Sequence, residues 1–169
     1  MTAAMGTGMG SAAGSTVPAA SAEESRAQDR VSATHSSVAH STATHSVEYA
    51  YLRAIPRVEL GESVNVGVLV YCQARDYLAC ATWLDPDRVR ILDPSADIDG
   101  LAAALGAVAK VCHGGEPAGQ AGQVSVGQRF RWLTAPRSAV LQPGPVHLGL
   151  CCEPEETLWR LAAAARGRS

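Results

Sequence analysis

The sequence predicts an α+β domain in which an antiparallel sheet precedes most of the helices. Two observations lead to this prediction. Residues 47–84 hold three apolar runs with the alternation of strands, whereas residues 85–169 hold segments in which apolar residues recur every three or four positions. Successive strands with short connections form antiparallel hairpins. We therefore expect a meander of three strands, a later fourth strand, and three to four helices packed on the sheet.

The alternation of apolar residues places the three strands of the meander at 47–55, 63–72 and 77–84. In the second strand four valines occupy every other position and are expected on one face of the sheet: Val64, Val66, Val68 and Val70. Asn65 and Gly67 interrupt this strand. Asn is depleted in strands, and Gly inside a strand often marks a β-bulge or a close approach of backbone.

Capping residues mark where the helices begin. The sequences at Asp85-Pro86, Asp97, Ser125 and Glu153-Pro154 have the N-cap, capping-box or first-turn proline signals of helix starts. Gly114 is expected to end the second helix. A fourth strand is expected at 138–142, followed by a turn at 143–145. The three tryptophans are expected as core anchors: Trp83, Trp132 and Trp159.

The chain changes composition at about residue 47. Residues 1–46 contain no Phe, Trp or Tyr and consist mostly of Ala, Ser, Thr and Gly. Such a segment buries too little apolar surface to offset the entropy of ordering, so we expect it to be disordered. Residues 47–169 have the length of one domain. Because all three methionines precede this domain, we also hypothesise that translation begins nearer Val47, which the intact mass of the native protein tests.

Composition limits the classes of function. The formal net charge is −2, so the chain lacks the basic excess typical of proteins that bind nucleic acid by charge. No apolar run approaches the roughly 20 residues that cross a bilayer. Five cysteines without a CxxC pair favour a reducing, cytoplasmic location. Adjacent pairs at 112–113 and 151–152 fit one tetrahedral zinc ion poorly, so we expect neither a metal nor another cofactor.

Several polar residues are not required by the predicted fold. Arginine side chains hold planar oxyanions through paired hydrogen bonds, which makes these positions candidate contacts for an anion or other ligand: Arg53, Arg57, Asn65, Arg137, Ser138 and Gln142. Glu62 as a base and His147 as an acid would complete a hydrolase-like site. No P-loop, dinucleotide-binding fingerprint or nucleophile elbow accompanies them. The alternative is structural, with Glu62 paired to an arginine, Asn65 capping a bulge and His147 bonded to a backbone carbonyl.

Two long segments resemble a known family. They are 49–71, YAYLRAIPRVELGESVNVGVLVY, and 129–150, RFRWLTAPRSAVLQPGPVHLGL. Together they resemble two signatures of the bacterial domain of unknown function 3037 (DUF3037), over about 47–165. The family's patterned polar positions fall here on Arg53, Arg57, Glu62, Asn65, Pro136, Arg137, Ser138, Gln142 and His147. The chain departs from the family at Cys151-Cys152-Glu153, where an acidic stretch is usual, and this counts against a shared role for these cysteines.

The resemblance carries no established activity, but it implies a protein partner, since members of the family are often encoded beside a HipA-like kinase. We therefore expect a small cytoplasmic interaction or regulatory protein that is accessory to such a kinase. The alternative is a small hydrolase-like enzyme acting on a phosphate-containing or nucleic-acid substrate. An enzyme gathers its polar residues in one pocket, whereas a binding module spreads them along a surface beside exposed apolar residues.

Overall fold

The computed structural model describes residues 43–167 and confirms the α+β class. The strands are β1 His45–Ala54, β2 Val64–Cys72, β3 Tyr77–Thr82, β4 Leu141–Pro143 and β5 His147–Cys151. The α-helices are α1 Pro86–Leu92, α2 Ile98–His113, α3 Val126–Thr134 and α4 Pro154–Arg166. Two 3-10 segments, Gln73–Arg75 and Glu116–Gln123, bring the helix count above the prediction.

The boundary predicted at residue 47 lies close to the start of the sheet. β1 begins at His45, two residues before that boundary. Residues 1–42 of the segment predicted to be disordered lie outside the described range, and the late translation start stays a hypothesis. Within that range, no helix is long and apolar enough to span a membrane.

The sheet is antiparallel, with the strand order β3-β2-β1, and both β4 and β5 lie on the remaining edge of β1. β4 pairs with the end of β1, where Leu52 is opposite Pro143, and β5 pairs with its beginning, where Tyr49 is opposite His147. Between these two pairs β1 advances three residues, from Tyr49 to Leu52. The opposite chain advances four residues, from Pro143 to His147. β4 and β5 therefore form one edge strand interrupted by a one-residue bulge.

This geometry corrects the turn predicted at 143–145. The Gly144 N–H donates to the carbonyl of Tyr51 at 2.7 Å, so the segment stays beside β1 instead of turning away. Prolines indicate a turn in most contexts, but an edge strand tolerates them at a bulge. For the same reason β5 was missing from the prediction, and the sheet has five strands instead of four.

A second bulge lies in β2. Arg53 pairs with Asn65 and Leu52 pairs with Gly67, so Val66 is the extra residue. This bulge is the feature that Asn65 and Gly67 indicated in the sequence. It increases the local twist and lets one strand change the face to which its side chains point.

The bulge in β2 overturns the predicted arrangement of the valines. Val66 packs in the core on one face of the sheet, while Val68 and Val70 pack in the core on the opposite face. The prediction that all four alternating valines share a face is wrong, because the extra residue reverses the alternation beyond it.

Helices cover both faces of the sheet. On one face, α1, α2 and α3 enclose a core in which the Phe130 ring stacks on Tyr71, with ring centroids 5.1 Å apart. On the other face, Leu158 and Ala162 of α4 pack against valines of β1 and β2. The predicted caps are confirmed, including the reciprocal capping box between Ser125 and Gln128 at the start of α3.

Tyr77 at the start of β3 provides a test of this arrangement in solution. Burial, with a smaller contribution from the negative charge of Glu155 in α4, raises the pKa of Tyr77 to about 12. A tyrosine in the unfolded chain titrates near 10, so the unfolded state loses its proton first. The stability that depends on a protonated Tyr77 is therefore complete below about pH 10 and is lost as the pH rises toward 12. We expect the ultraviolet tyrosinate titrations of wild type and Tyr77→Phe to differ by one step centred at about 12. A difference centred near 10 would contradict the burial of Tyr77 at the start of β3.

Candidate functional site

Three of the candidate ligand residues line one cleft, which we call the Arg53 cleft. Arg53 on β1 is directly opposite Gln142 on β4, and Arg137 comes from the loop after α3. The cleft has a volume of about 390 Å³. Its other lining residues are Thr134, Pro136, Pro143, Gly144, Pro145 and Val146. The edge-strand bulge thus brings residues of the two segments 49–71 and 129–150 together.

Arg53 contributes a guanidinium group to the lining of the cleft. Its Nε is buried and has no hydrogen-bond partner within residues 43–167. Leaving a buried donor unpaired costs about 1–3 kcal/mol, and such groups are normally satisfied. None of the residues that line the cleft is acidic. With two arginines and no acidic residue in its lining, the cleft suits a carboxylate or phosphate that contacts the guanidinium groups.

Arg137 is held in place by the end of α3. Its Nη2 donates to the carbonyl of Trp132 at 2.7 Å, its Nε lies 3.5 Å from the carbonyl of Ala135, and its guanidinium lies over the Trp132 ring at 5.4 Å. A cation at this position also complements the negative end of the helix dipole. Gln142 is similarly anchored, because its Nε2 donates to the carbonyl of Ala139 at 2.8 Å. Both side chains are therefore positioned before any ligand arrives.

A second cavity adjoins the cleft and is almost entirely apolar. We call it the apolar groove; it has a volume of about 440 Å³ and runs between α2, α3 and the segment before β4. Its apolar lining is Leu101, Ala104, Ala107, Val108, Val111, Trp132, Leu133, Ala139, Val140 and Leu141. Arg137 lines both this groove and the Arg53 cleft. The two cavities thus form one composite surface with an apolar part, which also includes Asp97 at the start of α2, and a basic part.

The exposed Trp132 corrects a sequence prediction. Trp132 and Trp159 are both 55% exposed and are not core anchors. In α3 the residues that face the sheet follow the helical period and include Phe130 and Leu133, so Trp132 falls outside the buried stripe. The helical period of α3 is therefore the sequence signal that Trp132 faces outward. The same signal points to the apolar groove, because Trp132 lines it.

The structure does not bring Glu62 and His147 together. Glu62 lies exposed in the loop before β2, whereas His147 begins β5 and stacks on the Tyr49 ring at 5.2 Å. β2 begins with Val64 opposite Ala54, and His147 is opposite Tyr49. Tyr49 and Ala54 are five residue steps apart along β1, a distance of about 17 Å. An acid and a base that act on one bond need to be far closer than this.

The remaining candidates lie outside the composite surface. Arg57 is exposed in the loop after β1, and its charge helps to lower the pKa of Asp93, which is lowered chiefly by hydrogen bonds from Ser95. Asn65 lies beside the bulge of β2 and lines a different, more polar cavity of about 430 Å³. Ser138 is exposed in the segment before β4. A ligand role for these three residues stays a prediction without a common site.

Two other arginines of the segment 129–150 stabilise the fold. The Nη1 of Arg129 donates to the carbonyls of Val111 at 3.0 Å and Cys112 at 2.8 Å, which caps the end of α2. Arg131 donates to both carboxylate oxygens of Glu48 at 2.6 Å, and this ion pair raises the pKa of Arg131. Arg137 therefore differs from both in lining the two cavities.

The cysteines are free thiols in the structure. Cys112 in α2 and Cys80 in β3 share a hydrogen bond, which together with burial raises the pKa of the Cys112 thiol. Among residues 43–167 no group of three or more His, Cys, Asp or Glu side chains is arranged to hold a metal ion. The expectation that the protein binds no metal or cofactor stays a prediction.

A family model described as "Protein of unknown function (DUF3037)" matches residues 49–165. The chain belongs to the DUF3037 family. The matched range contains both sequence segments that resemble the family, and it holds the whole composite surface of this DUF3037 domain. No curated protein and no solved structure matches the chain.

Proposed function

We propose that this DUF3037 protein is an interaction module that binds a segment of a partner protein on the composite surface. The observation that supports the proposal most strongly is the position of Arg137 on the wall shared by the apolar groove and the Arg53 cleft. A single bound segment can therefore place apolar side chains in the groove and a carboxylate, from Asp, Glu or a chain terminus, beside the two arginines.

The apolar groove has the properties of a protein-binding surface. It exposes Trp132 and Val140, of which 55% and 42% are accessible. Tryptophan and arginine are the residue types that most often dominate binding energy at protein interfaces. The small Ala104 and Ala107 leave room between α2 and α3 for side chains of a partner. Burial of exposed apolar area of this kind supplies the main driving force for association.

The Arg53 cleft supplies the specificity for an acidic group. Its arginines are accompanied by no acidic lining residue, so a carboxylate there meets charge complementarity. A HipA-like kinase is the partner class that the family resemblance implies, and free cysteines support a cytoplasmic setting for such a complex.

The hydrolase hypothesis has less support than the interaction module. Its acid and base, His147 and Glu62, lie apart, and no nucleophile elbow accompanies them. The spread of polar residues beside exposed apolar side chains is the pattern that we expected for a binding module.

A peptide selection tests the chemistry of the proposed partner segment. We expect the full chain, used as bait against a random peptide display library, to enrich peptides that combine apolar residues with Asp, Glu or a free carboxyl terminus. Arg53→Gln should weaken binding of a selected peptide by about 10- to 100-fold, because hydrogen bonds to charged groups contribute about 1.5–3 kcal/mol. Fluorescence anisotropy measures this change.

The matched control for this selection is Arg90→Gln. Arg90 is an exposed arginine on α1 that forms an ion pair with Asp87 within the same helix. Arg90→Gln removes one positive charge, as Arg53→Gln does, but it leaves the composite surface intact. We therefore expect this variant to bind the selected peptide with wild-type affinity. Enrichment of basic peptides, or equal losses from both variants, would refute a carboxylate site at Arg53.

A further inference from the structure

The outer edge of β5 is an unprotected strand edge. β5 pairs with β1 on one side, and no other strand of the described residues lies on its far side. Exposed edges present unpaired N–H and C=O groups, and proteins usually protect them with charges, prolines or bulges. The β4 half of this edge strand is protected in this way by Pro143, Pro145 and the bulge between the strands. β5, with the sequence HLGLC, contains no Lys, Arg, Asp, Glu or Pro.

Two leucines make this edge apolar as well as open. Leu148 is 76% exposed and Leu150 is 71% exposed, so both are far more accessible than a typical side chain of a sheet. They occupy alternate positions and therefore project from the same face of the sheet. Opposite Leu148 on β1 is Glu48, whose charge is neutralised by its ion pair with Arg131. A partner that approaches the leucines therefore meets no unpaired charge at this position.

We infer that β5 is the interface of a homodimer in which two copies of the chain pair along this edge. The sequence of the strand is self-complementary for antiparallel pairing about Gly149. With Gly149 opposite its counterpart, Leu148 of one protomer lies opposite Leu150 of the other, and the reverse pair forms across the two-fold axis. Four leucines then form one cluster on the same face, and cross-strand pairs of this kind stabilise a sheet.

Gly149 suits the position on the axis. On its own protomer, a side chain at this position would point toward Val47 and Tyr49 of β1, at 3.4 Å and 3.8 Å from a Cβ atom. A glycine there leaves the pairing of the two strands to their backbone hydrogen bonds and to the leucine pairs on either side. The two five-stranded sheets then continue as one sheet of both protomers, in a closed two-fold arrangement. This inference does not depend on the proposed function, because it rests on β5 alone.

Sedimentation equilibrium of the full chain tests the dimer. We expect a mass of twice the 17.5 kDa of one chain for wild type. The double variant Leu148→Glu/Leu150→Glu should weaken dimerisation about tenfold or more, since it places like charges directly opposite one another. The control is Leu60→Glu/Ile91→Glu, which changes two exposed apolar residues (56% and 81%) outside the sheet and should remain dimeric.

Disulfide trapping tests the register independently of how the glutamate variant folds. In a Cys152→Ser background, Gly149→Cys should form a covalent dimer on mild oxidation with copper phenanthroline, because directly opposed Cβ atoms lie about 4.5–5.5 Å apart, close to the span of a disulfide. Cys152→Ser alone should not cross-link. A monomeric wild type at its highest soluble concentration would overturn the inference, as would a dimer that the glutamate pair leaves unchanged.

Discussion

Phe130→Ala is expected to lower the free energy of unfolding by about 3–5 kcal/mol, the usual range for removal of a buried aromatic ring. Phe130 has 0% of its surface exposed, and its ring stacks on Tyr71 of β2. With Leu133, it is one of the two buried residues by which α3 packs in the core on the sheet. Because α3 also supplies one wall of the apolar groove, this side chain connects the core to the proposed binding surface. Urea denaturation followed by circular dichroism measures the change.

Trp132→Ala is the matched control for this prediction. It removes an even larger aromatic side chain from the same helix, but Trp132 is 55% exposed. Surface substitutions usually change stability by no more than about 0.5 kcal/mol, so a loss well below 1 kcal/mol is expected. Equal losses from the two variants would contradict the orientation of α3 on the sheet.

Gly67→Val is expected to destabilise the domain by about 1–3 kcal/mol, the range for overpacking in a core. A Cβ atom at Gly67 would lie 3.1 Å from the carbonyl oxygen of Ala81 and 3.1 Å from the Leu52 side chain. The backbone oxygen belongs to the β2–β3 ladder and has little freedom to move. Valine favours strands, so propensity alone predicts the opposite sign. The midpoint of urea denaturation distinguishes the two outcomes.

Gly106→Ala is expected to change the stability of the domain in the opposite direction. Gly106 lies inside α2, and nothing lies within 4 Å of a Cβ atom built there. Replacing an interior helix glycine by alanine should stabilise the domain by about 0.5–1 kcal/mol. If Gly67→Val were also neutral or stabilising, the close approach of the strands at the bulge would be wrong.

Local signals in the sequence predict most of the fold. The N-caps at Asp85, Asp97 and Ser125 act over three residues, and the structure confirms each of them. The two β-bulges are different, because each depends on a neighbouring strand. Gly67 indicated a bulge but could not show that the later valines of β2 change face. The prolines of the edge strand indicated a turn, since only pairing with β1 shows that the segment is part of the sheet.

The site was predictable only in part. The sequence marks Arg53, Arg137 and Gln142 as polar residues that the fold does not require, and they meet in one cleft although Arg53 is far from the other two in sequence. The sequence gives no distance between such residues. By residue type alone, Arg57, Asn65 and Ser138 are therefore equally good candidates for the same site. Glu62 and His147 formed a plausible acid and base by residue type alone, and the register of β1 places them apart.

In the proposed complex a partner segment occupies the apolar groove. Ala107 and Ala103 are exposed alanines one turn apart on α2, of which Ala107 lines the groove and Ala103 does not. The most direct measurement is calorimetric titration of a selected acidic, apolar peptide into Ala107→Glu and Ala103→Glu. We predict that Ala107→Glu weakens binding by about 100-fold, because its carboxylate fills and charges an apolar site, while Ala103→Glu binds as wild type. Equal affinities of the two variants would contradict the proposed surface.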